Sequence, residues 1–184
     1  MNKLNNLFFK FFFLFLFLII LAALDLAVVK ALPAPFDNLN LSITALVFVL
    51  FIFGARPALL ASLGLGLILD FYYFPSVGIN TASLFIALVL TNFLLVNVLT
   101  DKSLYSLLAL TSAAYFIFSI GMYFFNYVAV FLGRTEFDII FNRYFFTSKI
   151  YGWLLCSITA AIIFYFLNYI DKRYKPFFLV KKDR

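Results

Sequence analysis

The chain has no histidine, one cysteine, and charged residues at only 12% of its length. An average soluble domain is about 25% charged. With Cys156 alone and no histidine, zinc and haem chemistry have almost nothing to build on. A lone cysteine cannot form a disulfide within the chain, so it says nothing of redox compartment. Also absent are a Ser-His-Asp set, an HExxH helix, a GxxxxGK[ST] loop and a close pair of carboxylates. Neither an enzyme nor a bound cofactor is expected.

Apolar sequence fills the space. Hydrophobic residues make up 66% of the chain, and mean hydropathy is +1.08. Soluble domains are about 45–50% apolar. Apolar runs recur along almost the whole length, which leaves no room for a separate soluble domain. The composition predicts an all-α, polytopic membrane protein in one bundle. The 28 phenylalanines report the choice of apolar residue rather than a function.

Taking about 20 residues per span, six segments emerge. They run from about Leu7 to Leu32, Leu41 to Ala55, Ala58 to Phe74, Asn80 to Thr100, Leu104 to Leu132 and Ile150 to Ile170. Pro33 and Pro35 close the first. Only Arg56-Pro57 separates the second from the third, which reads as a tight hairpin, since proline suits a first helical turn. The aromatic stretch Phe137 to Phe146 is expected on the membrane surface. Residues 1–170 form the transmembrane domain and 171–184 a basic tail. The first segment is too long for a signal-peptide core and lacks a clean cleavage site, so it is read as an uncleaved span.

Lysine and arginine in short loops set orientation. With both ends in the cytoplasm, ten basic residues lie inside, among them Arg56, Lys102 and six in the tail. Four lie outside: Lys30, Arg134, Arg143 and Lys149. The net charge of +6 therefore reads as membrane orientation and contact with anionic lipid. Nucleic acid is a poor fit, because no soluble basic surface exists. The expected location is the cell membrane.

The remaining signal is small and polar residues at helical spacing. Ala58, Ser62, Gly66 and Asp70 are four apart, one stripe of a helix. Asn80, Ser83, Ala87 and Thr91 form a second stripe; Gly152, Cys156 and Ala160 form a third. Ser112, Ser119 and Asn126 stand at spacing seven. Such faces let membrane helices approach closely. Asp70 stands at the end of its span, before "FYYFPSVG". It either caps that turn or, with Asn80, Ser62 and Gly66, forms a rim for a partner or ligand; the residues leave both open. Asp25 is the other intramembrane acid, within reach of Lys30, Lys149 or water.

The order Pro35, Arg56-Pro57, "GLGLILD" (Gly64–Asp70), then Gly78-x-Asn80 resembles the rod-shape-determining membrane protein family MreD. The likeness is sharpest over Leu41 to Leu99. It implies a non-enzymatic scaffold of the bacterial cell-elongation machinery, with a periplasmic MreC-like protein as partner. Substrate-binding membrane subunits of energy-coupling-factor vitamin transporters, of similar size and span number, are the alternative.

Overall fold

The computed structural model describes residues 16–72, 78–99, 103–132 and 143–174. Among the described residues six helices follow one another: α1 (Leu16–Val29), α2 (Leu41–Phe53), α3 (Ala55–Tyr72), α4 (Ile79–Asn97), α5 (Leu104–Phe131) and α6 (Arg143–Tyr174). The end of α1, Leu24–Val29, widens into a π-helix. A single 3₁₀ turn, Phe36–Asn38, lies between α1 and α2. There is no strand among the described residues. By length and composition, α3, α4, α5 and the Phe145–Phe166 part of α6 can cross a membrane. The described part of α1 and all of α2 are shorter apolar helices. The fold is an all-α membrane bundle.

In the packing, α4 lies between α3 and α5, and α2 touches α3, α4, α5 and α6. The short α2 is the most enclosed. Its Ile43, Leu46, Val47 and Leu50 are all at most 2% exposed. The outside is as apolar as the inside. Ile120, Phe124, Tyr127 and Phe131 of α5 are each at least 60% exposed, at helical spacing. A soluble surface rarely carries such a stripe. Against lipid tails it costs nothing, so the bundle must cohere through close packing and polar contacts instead.

Several boundaries differ from the sequence reading. The α2–α3 break is at Gly54, in the left-handed region at φ 89°, where glycine is at ease. Arg56 and Pro57 therefore lie inside the first turn of α3. Pro57 lacks an N–H where a helix has no acceptor for one. The sixth helix begins at Arg143 instead of Ile150, so Arg143 to Ser148 is helix and not loop. It also runs on to Tyr174, past the expected start of the tail. The segments Pro75 to Val77 and Phe137 to Asn142, residues 1–15 and the tail beyond Tyr174 lie outside the described residues.

Candidate functional site

The α3 stripe faces inward along its length. Ala58 and Ser62 are 0% exposed and Asp70 only 1%. At Gly66 the backbones of α3 and α4 come so close that a Cβ would stand 2.5 Å from the Cα of Thr81. No side chain fits there. Ser62 Oγ donates to the carbonyl of Leu59 at 2.8 Å, so it is satisfied within its own helix.

Asp70 closes the other end of this seam. Its Oδ1 accepts from the N–H of Asn80 at 2.9 Å. Its Oδ2 accepts from the N–H of Thr81 at 3.1 Å and from the Thr81 hydroxyl. The local sequence explains why. The N-cap of α4 is Gly78, at φ 93°, with no side chain to cap the helix. The first N–H groups of a helix have no intrahelical acceptor. Asp70, one helix away, supplies it. A carboxylate at a helix N-terminus is further favoured by the helix dipole, and hydrogen bonds to an ionised acceptor are the strong kind.

The same arrangement occurs a second time. Asp25 is 5% exposed. Its Oδ1 accepts from the N–H of Leu41 at 3.1 Å. Its Oδ2 accepts from the N–H of Ser42 at 3.2 Å and from the Ser42 hydroxyl. The next donor, the N–H of Ile43, is capped by the Asn40 side chain at 2.9 Å. Each acid thus stands near the end of one helix and clasps two consecutive N–H groups and a β-hydroxyl in the first turn of the next. A buried hydroxyl follows two residues later in both, Thr44 and Ser83, each 0% exposed. Where the sequence reading offers Lys30, Lys149 or water, the described partners of Asp25 are two backbone donors and a hydroxyl within the bundle.

The other stripes also pack inward. Asn80, Ser83, Ala87 and Thr91 are 5%, 0%, 2% and 0% exposed. Ser83 faces Gly121 of α5, where an added Cβ would be 3.5 Å from it. Gly152 of α6 abuts the Tyr115 hydroxyl and the Asn38 carbonyl. Cys156 is 0% exposed and lies against the backbone of Asn40, 3.4 Å from its N–H. Trp153 Nε1 donates to Ser112 Oγ at 2.8 Å. Asn126 bonds back to the carbonyl of Met122 at 2.7 Å.

The structure therefore brings Asp70, the Asn80 backbone and Gly66 together around Thr81. Ser62 lies two turns away on the same stripe. Arg56 and Pro57 are at the opposite end of α3. The sequence reading missed Ser42 and Thr81 as the hydroxyl partners. The available signal was an acid ending one apolar span and a Ser or Thr in the first turn of the next, in "NLS" and "INT". Among the described residues, no group of three His, Cys, Asp or Glu side chains is placed to hold a metal. What this arrangement does chemically is fix charge and helix position. The chain matches no protein-family model, no curated protein and no solved structure.

Proposed function

We propose that this chain is a non-enzymatic integral membrane scaffold of the bacterial cell-elongation machinery, of the MreD kind. In this reading it has six spans and both termini in the cytoplasm. The observation that carries the proposal is how the residues behind the resemblance are used. Arg56-Pro57 opens α3, Gly66 admits α4, and Asp70 clasps the first turn of α4. The motif builds one hairpin of defined geometry. That is what a protein recognised by the shape of its membrane face requires.

The test is purification of the tagged chain from native membranes, together with depletion in a rod-shaped host. Co-purification of a periplasmic coiled-coil MreC-like protein, with rounding of depleted cells and rescue by the wild-type chain, supports the scaffold. Recovery of two ATPases and a coupling subunit, with unchanged cell shape, replaces it with the transporter-subunit reading.

A further inference from the structure

Two lysines stand at the end of the bundle that carries Asp25, and neither has a carboxylate partner among the described residues. Lys30 is exposed and donates to the backbone carbonyl of Asp37 at 2.9 Å. Lys149, on α6, is half-buried, and its Nζ lies 5.3 Å from the ring centroid of Tyr123 and 5.9 Å from that of Phe145. Lys30 reaches the Asp37 carbonyl, and Ser148, the chain neighbour of Lys149, is bonded to Asn38, so both lysines border the same turn. Among the described residues, two acids share this end of the molecule. Asp25 has both oxygens held by the first turn of α2. The carboxylate of Asp37 accepts from Asn38 Nδ2 at 2.8 Å. Asp25 is thus enclosed in the bundle, while Lys30 reaches the surface.

Beside them is a cleft of about 80 Å³, between the turn after α1 and the first turns of α6. It is lined by Ala34, Pro35, Asn38, Thr147, Ser148 and Tyr151. Ser148 Oγ also donates to Asn38 Oδ1, tying the two walls together. From the cleft, one stripe of α6 runs along the apolar part of the helix: Ile150, Leu154, Ile158 and Ile162, 41–62% exposed. At the same end, Tyr151 is 45% exposed, a residue type favoured at the membrane–water boundary.

We propose that Lys30, Lys149 and this cleft form a binding site for an anionic phospholipid, its phosphate between the two ammonium groups and an acyl chain along the α6 stripe. Lysines at the headgroup level attract anionic lipid. A phosphate between them is attracted by both charges. Aromatic rings beneath Lys149 hold its charge in place. The inference requires the membrane placement alone and does not rest on the scaffold reading.

The test is native mass spectrometry of the full chain from micelles, titrated with dioleoyl phosphatidylglycerol or dioleoyl phosphatidylcholine. Expected is retention of the first over the second. The Lys30→Gln/Lys149→Gln variant should bind phosphatidylglycerol about tenfold more weakly, with binding of phosphatidylcholine unchanged. Lys30→Gln alone, at an exposed side chain, should give a smaller loss in the same direction if the double variant fails to fold. Arg56→Gln, at the other end of α2, should change nothing. Equal retention of the two lipids, an equal loss with Arg56→Gln, or displacement of the lipid by millimolar inorganic phosphate would overturn the site.

Discussion

A carboxylate inside a membrane bundle is tolerated only where donors meet it. Asp25 and Asp70 are met by six donors between them, four of which are backbone N–H groups that a helix start leaves over. The substitution that separates charge from size is Asp→Asn. An amide has one accepting oxygen, and its NH₂ would face a second donor. Asp70→Asn should therefore destabilise the bundle by about 2 kcal/mol, from the range for hydrogen bonds to charged groups. Asp25→Asn should cost a similar amount, because its set of partners is the same. Thr81→Ala removes one donor and leaves no orphaned backbone group, so about 1 kcal/mol is expected. Unfolding of the purified chain in micelles, followed by circular dichroism against temperature, measures all three. Asp→Asn variants as stable as wild type would show that the clasps are incidental to the fold.

Helix α3 meets two neighbours through glycines, and the two contacts differ in kind. A Cβ on Gly66 would meet the Thr81 backbone at 2.5 Å, while one on Gly64 would meet Leu18 Cδ1, the end of a flexible side chain, at 2.9 Å. Gly66→Ala must push α4 away, and overpacking of this type costs about 1–3 kcal/mol. Gly64→Ala asks only for a rotamer change, and it gains helix propensity of up to about 1 kcal/mol. The expected order of stability is Gly64→Ala at or near wild type and Gly66→Ala clearly below, read from the same melting curves. The spacing of Gly66 from Asp70 is legible in the sequence because helical periodicity is local. So are the six apolar segments and the inward stripes on α3, α4 and α6. The partner of Asp25 is not legible, because it depends on a helix start 16 residues away and on a π-turn that no local signal announces. The start of α6 was obscured by Arg143 and Lys149, polar enough to read as loop. Gly54 was overshadowed by the more conspicuous Arg56-Pro57.

For the whole molecule, the two clasps constrain direction. Asp25 ends α1 and Asp70 ends α3, and each grips the start of the helix that follows. Helices α2 and α3, joined at Gly54 alone, return the chain between them. If every helix crosses, both clasps, Lys30 and Lys149 share one side of the membrane, and Arg56 lies on the other. The positive-inside rule then selects the sign. On that six-span reading, Lys30, Arg134, Arg143 and Lys149 would fall on the clasp side and the other ten of the 14 basic residues opposite. The clasp side should therefore be periplasmic. A periplasm-active alkaline phosphatase fused after Thr135 should be strongly active, and one fused after Arg184 or Arg56 should be silent. Cysteine labelling gives an independent reading: with Cys156 replaced by Ser, a cysteine at Lys30 should react with a membrane-impermeant maleimide in intact cells, and one at Arg56 only after lysis. Opposite labelling would invert the bundle. Labelling of both positions from outside would show that α2 and α3 do not cross as a pair, and the six-span topology would fall with them.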